Sequence, residues 1–151
     1  MSKFLTDLFT NQVLAAAFIT WALAQIIKLP LEYFLHRNWD WGLLLSTGGM
    51  PSSHSALVAA LSVAVGLQEG FTSPLFAISW VLAMIVIYDA IGIRRHAGDH
   101  ARVLNLMIDE LFTGHPLAEK ELKEVLGHTP REVIGGVLLG IVVPYLMIRV
   151  F

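Results

Sequence analysis

Two residues with catalytic potential, His128 and Glu132, stand four positions apart. On a helix that spacing is one turn, so the carboxylate can accept a hydrogen bond from the imidazole and fix its tautomer. A further histidine, His54, ends the motif Pro51-Ser52-Ser53-His54 inside the turn-rich stretch STGGMPSSHS. Two histidines on separate elements suit a nucleophile and a general acid. Lys28, Arg94 and Arg95 add positive charge, and arginine binds phosphate oxygens in bidentate fashion. Ser52, Ser53 and the backbone amides that open the following helix form an anion-binding helix N-terminus. Asp89 closes an apolar run and is expected to pair with an Arg or Lys. The chemistry that this set suits is phosphate chemistry.

Each piece also has an ordinary structural use. Pro51-Ser52-Ser53 can cap a helix. Thr129-Pro130 is a common helix start, with Thr129 as N-cap and Pro130 in the first turn. Arg94 and Arg95 can serve as interfacial anchors. His36 and His115 read as solvated loop residues. His96 and His100 have a metal-binding spacing, but Gly98 between them weakens the helix that they would need.

The elements that must position these residues are apolar. The chain has 151 residues, 56% of them hydrophobic and only 15% charged, and its mean hydropathy is +0.67. Soluble domains are typically about 45–50% apolar and about 25% charged. Four apolar stretches stand out: Val13 to Ile27, continuing past Lys28 into LPLEYFL; Ala56 to Leu67; Pro74 to Ile93; and Val133 to Phe151. A bilayer core of about 30 Å needs roughly 20 helical residues. The first, third and fourth stretches reach that length, and the second does so only if its helix runs from near Ser52 to Glu69; alone it reads as a buried or re-entrant helix. The fold expected is therefore all-α, an integral membrane bundle of about four transmembrane helices in a single domain over 1–151. Val103, Leu104, Met107, Ile108 and Leu111 add a short amphipathic helix within Ala101 to Phe112. Leu117 to Leu126 reads as a second short helical piece. Glu69-Gly70 and Thr72-Ser73-Pro74 mark a tight turn. The N-terminus lacks the basic region of a signal peptide beyond Lys3, so the first stretch is read as a mature transmembrane helix.

With four spans, Lys28, His54, Asp89, Arg94, Arg95, His128 and Glu132 all fall on one membrane face. Titratable groups beside membrane segments are costly and usually functional. The positive-inside rule places that face in the cytoplasm. The chain has no cysteine, which excludes disulfides, thiolate nucleophiles and Cys-based metal centres. Its net charge of −2 gives no sign of a nucleic-acid partner.

At GGMPSSHS and LGHTPREVIGG the sequence resembles the phosphatidic acid phosphatase type 2 superfamily. More closely, it is similar to the small divergent membrane branch of that superfamily, which is related to acid phosphatases and vanadium haloperoxidases. Pro51-Ser52-Ser53-His54 matches the Pro-Ser-Gly-His motif with Ser for Gly. His128 and Glu132 match the ending His-x-x-x-Asp with Glu for Asp. Lys28 matches the upstream Lys, and the Arg of the third motif would come from Arg94 or Arg95. The resemblance implies that His128 attacks phosphorus to form a phosphohistidine and that Glu132 orients it. His54 would protonate the leaving oxygen and then help to activate water. Lys28, Arg94, Arg95, Ser52 and Ser53 would hold the phosphoryl oxygens. No metal and no cofactor is required.

The function expected is a lipid phosphate or pyrophosphate phosphatase of the bacterial cell membrane. Phosphatidylglycerophosphate, phosphatidic acid and undecaprenyl pyrophosphate all fit as substrates. Partners would be that lipid, the surrounding membrane lipids and, for so thin a bundle, a second copy in a homodimer. The alternative is a non-catalytic membrane protein that keeps the pocket to bind lipid or anion. A transporter is disfavoured by the few polar residues within the helices.

Overall fold

The structure is a computed structural model and describes residues 3, 6–7, 10–37, 39, 41–44, 48–92, 100–101, 103–108 and 128–150. Four long helices dominate it: α1, Gln12–His36; α2, Ser53–Glu69; α3, Pro74–Ile91; and α4, Pro130–Val150. A 3-10 turn, Trp41–Leu44, lies between α1 and α2. No strand occurs among the described residues.

The helix ends follow from local chemistry. The Asn11 side chain accepts from Leu14 N and starts α1, and Arg37 ends it in the left-handed conformation at φ 56°. Ser52 caps α2, and Ser73 caps α3 with Pro74 in the first turn. The turn between α2 and α3 is the one expected, and Gly70 adopts φ 88° there, a value that a side chain would strain.

The helix α2 is the axis of the molecule. It packs against α1, α3 and α4, and its buried face is made of Ser53, Ser55, Ala56, Ala59, Ala60 and further small residues. Gln68 Nε2 donates to Gln12 Oε1 at 2.8 Å, so the end of α2 meets the start of α1 and the two run antiparallel. Contact of Gly66 with Phe71 and Phe76 sets α3 antiparallel to α2 as well.

The crossing of α2 and α4 is closer and parallel. A Cβ on Gly136 would collide with the Ser52 carbonyl, and one on Gly140 would lie 2.6 Å from Ala59 Cβ and 2.8 Å from the Ala56 carbonyl. Gly136 and Gly140 form a Gly-x-x-x-Gly seam that lets the two backbones touch, a packing mode common between membrane helices.

Size is sorted in the sense opposite to a soluble core. The buried hydrophobic residues are mostly alanines, including Ala16, Ala24, Ala56, Ala60, Ala64 and Ala90. The large side chains point outward, among them Phe18, Ile78, Ile85, Leu138 and Leu146. In water such faces would drive aggregation; against hydrocarbon they cost nothing. Among the described residues, three helices are long and apolar enough to cross a membrane: Gln12–Phe34, Pro74–Ile91 and Pro130–Ile148. The expectation of about four spans therefore meets three candidates. The remaining helix, α2, has 17 residues, or about 26 Å, and is the one wrapped by the others.

Of the expected amphipathic helix, residues 103–108 are helical, and Val103, Leu104, Leu106 and Met107 are exposed. The second short piece, Leu117 to Leu126, lies outside the described residues.

Candidate functional site

The alternation of helix directions brings the C-terminal part of α1 to the N-termini of α2 and α4. Three of the expected site elements meet there, and Glu132 is the residue on which they converge.

Residues 128–133 fold as a capped helix start. Thr129 Oγ accepts from Glu132 N at 3.4 Å, and Val133 N donates to the Thr129 carbonyl at 3.2 Å. Thr129 is thus the N-cap and Pro130 the first helical residue, as an ordinary helix start requires. The same cap places His128 just before the helix and Glu132 in its first turn, so the structural and chemical readings hold together. His128 Nδ1 lies 2.7 Å from Glu132 Oε2. The His128 residue is 2% exposed, whereas the Glu132 side chain is 20% exposed.

An ionised carboxylate can only accept, so Nδ1 carries the proton, and in the neutral imidazole Nε2 is left with a lone pair. Nε2 of His128 is buried and has no hydrogen-bond partner among the described residues. A buried polar atom without a partner is costly and calls for an explanation.

Glu132 also ties in the other two helices. Its carbonyl accepts from Ser52 N at 2.9 Å, which joins the first turn of α4 to the cap of α2. Its carboxylate interacts electrostatically with Lys28 on α1. Lys28 is the largest of the fully buried side chains, 1% exposed in the middle of an otherwise apolar stretch. Pro30 sits two residues further on and removes the N–H that would bond the Ile26 carbonyl.

Ser52 is fully buried and engaged at every polar atom. Its amide serves Glu132, its carbonyl accepts from Ala56 N, and its hydroxyl caps Ser55 N at 3.3 Å and lies 3.0 Å from Ser55 Oγ. Ser52 therefore builds the junction. Ser53 is buried beside it and His54, half-buried, occupies the first turn of α2. The Met50-Pro51 peptide is cis. Asp89 is half-buried in the last turn of α3. Arg94 and Arg95 lie outside the described residues, as do His96 and His115, while His100 is exposed.

Of the site residues expected from the sequence, Lys28, Ser52, His128 and Glu132 are brought together, and two further features of the bundle were not foreseen. One is the Gly136–Gly140 seam, whose signal was present as Gly-x-x-x-Gly in an apolar run. The other is an aromatic cluster at this end of α1. Tyr33 stacks on Trp39 at 5.0 Å, Trp39 stacks on Trp41 at 6.1 Å, and Arg37 lies 5.8 Å above the Tyr33 ring. Trp and Tyr of this kind collect at membrane–water interfaces.

Comparison with known proteins fits this arrangement. Residues 9–143 match the Divergent PAP2 family. The chain is also 46% identical over 156 residues to the protein named uncharacterized membrane protein YuiD of Bacillus subtilis (strain 168), covering 96% of this chain and 99% of that one. No solved structure matches.

Proposed function

The chain belongs to the Divergent PAP2 family, and from that membership we propose that it is a phosphatase of lipid phosphates or pyrophosphates, embedded in the bacterial cell membrane as a multi-pass protein. The observation that carries the reading is the state of His128. Its Nδ1 is held by Glu132 and its Nε2 is buried without a partner among the described residues. A nucleophile held in this tautomer needs no prior deprotonation.

In the proposed reaction Nε2 attacks phosphorus, the N–P bond forms, and the bond from phosphorus to the lipid oxygen breaks. His54 gives its proton to that oxygen. Water then attacks the phosphohistidine while His54 takes a proton from it, and the N–P bond breaks to release phosphate. The imidazole becomes cationic during the first step, and the Glu132 carboxylate stabilises it. Phosphoryl transfer asks mainly for positioning and positive charge. Lys28 supplies charge from α1, Arg94 and Arg95 supply it from the segment after α3, and the amides of Ser53 and His54 at the start of α2 add donors. Asp89 supports the arginines. No metal or cofactor takes part.

A colorimetric phosphate-release assay tests this on purified protein in mixed micelles. The panel is phosphatidic acid, phosphatidylglycerophosphate and undecaprenyl pyrophosphate. Release from at least one, absent in His128→Ala, supports the reading. No release from any of them overturns it in favour of a non-catalytic binding protein.

A further inference from the structure

Beside the site, α1 and α4 do not close on each other. They leave an open groove of about 340 Å³, lined by Ile27, Leu31, Pro51, Gly135, Leu138 and Val142 among its apolar residues. We infer that this groove holds one hydrocarbon chain of the phosphate-bearing lipid while its headgroup sits at His128. The inference rests on the phosphatase reading and adds the route by which the substrate arrives, sideways from the membrane between α1 and α4.

Continuity with the site is the first argument. Two lining residues abut site residues in sequence and a third is close: Ile27 precedes Lys28, Pro51 precedes Ser52, and Gly135 lies one turn beyond Glu132. A molecule whose phosphate reaches Nε2 of His128 finds a buried cation and amides at its head and hydrocarbon along its tail. That is the chemistry of an amphiphile, and a free phosphate would leave the groove unused.

Dimensions agree. From Glu132 to Val142 is ten residues of α4, or about 15 Å, half of a hydrocarbon core of about 30 Å. The groove lining on α4, Gly135 to Val142, thus begins one turn beyond Glu132 and reaches the level where one leaflet ends. Its volume of about 340 Å³ takes about ten groups the size of a water or a methylene, at roughly 30 Å³ each. Leu138 and Val142 are 58% and 50% exposed, so the groove opens outward along its length.

Gly135 keeps the upper end of the groove open. A Cβ there would meet Met50 Cε at 3.4 Å and Pro51 Cβ at 3.5 Å, ordinary contacts. The glycine is not demanded by backbone crowding, unlike Gly136 next to it. A larger side chain at 135 would extend into the groove.

The test uses phosphatidic acid with a photoreactive diazirine in the middle of one long acyl chain, added to the purified protein in micelles. Labelling is expected on Leu138, Leu139 or Val142, and it should fall about tenfold when the probe is diacylglycerol carrying the same chain. Labels on α3, or equal labelling by both probes, overturn the groove. In a second arm, Gly135→Leu and Val142→Trp should each lower the ratio of kcat/KM for dioleoyl over dibutyryl phosphatidic acid by about tenfold, because buried methylenes carry the affinity. An unchanged ratio in both variants overturns the inference. Labelling in the groove without phosphate release leaves the groove standing and sinks the phosphatase. Phosphate release with labels elsewhere does the reverse.

Discussion

The amide of Ser52 donates to the carbonyl of Glu132 at 2.9 Å, so the cap of α2 and the first turn of α4, with 79 residues between the two partners, share one hydrogen bond. The bond is buried on the Ser52 side, where water cannot compete for it. It makes the first turns of α2 and α4 a single unit, with His54 on one half and His128 on the other. The seam of Gly136 and Gly140 then presses the same helices together below the junction.

His128→Ala should abolish turnover, and His54→Ala should leave at most a trace. A general acid is worth about 10²–10⁴-fold, whereas the nucleophile has no replacement. Steady-state phosphate release from the two variants checks this. Wild-type rates in purified His128→Ala would sink the mechanism.

Glu132→Gln should cost activity without unfolding the protein. The backbone carbonyl that serves Ser52 is retained, and the amide side chain keeps the shape. What is lost is the charge that stabilises the imidazolium and the certainty that Nδ1 carries the proton. A loss of about 100-fold or more in kcat is expected, with the protein still folded and its thermal midpoint lowered only by the lost pairing with Lys28. Full activity would reduce Glu132 to an acidic residue favoured by the helix dipole.

Lys28 and Glu132 should be energetically coupled, since a cation 1% exposed among apolar residues needs its counter-charge. Lys28→Met, Glu132→Gln and the double variant form a cycle. The interaction energy expected is about 0.5–3 kcal/mol, read from unfolding in detergent. Additive losses would show that the two charges do not sense each other.

The adjacent glycines should behave differently. Gly136→Ala drives a Cβ into the Ser52 carbonyl, and overpacking of this sort costs about 1–3 kcal/mol. Gly135→Ala meets only side-chain atoms at 3.4 Å or more and should leave the thermal midpoint unchanged. Equal midpoints for the two variants would mean that the seam does not set the helix spacing.

These residues also show what the sequence could and could not disclose. Helix positions were legible because apolar runs, Ser and Thr caps and the Gly70 turn are local signals. Lys28, His54, His128 and Glu132 could be assigned to one end of the bundle from the alternation of helices alone. The standing of α2 is open, in the sequence, between a span and a buried helix. With 17 residues it is the shortest and least apolar of the four long helices, and its alanines and serines face three neighbours; burial of that kind is a tertiary fact. The use of Ser52 was also hidden. Its type and position mark a cap equally well whether its amide is free for an anion or, as here, bonded to Glu132.

Membrane orientation supplies the last prediction. The antiparallel order of α1, α2 and α3, with α4 parallel to α2, puts the start of α1 and the end of α4 together, opposite the site. The segments that the sequence alone assigns to the site side carry Lys28, Arg37, Arg94, Arg95, Arg102, Lys120, Lys123 and Arg131, eight cations, against Lys3 and Arg149 on the other. The positive-inside rule therefore turns the site to the cytoplasm. A phosphate site gathers cations wherever it faces, so the fair count omits Lys28, Arg94 and Arg95; five against two still gives the same sign. A cytoplasmic site meets lipid phosphates made on the inner leaflet, such as phosphatidylglycerophosphate, whereas an outward site would meet undecaprenyl pyrophosphate. A reporter that works only in the cytoplasm, fused after Phe151, should be silent. Activity of that fusion would invert the topology and move the substrate preference to the outer leaflet.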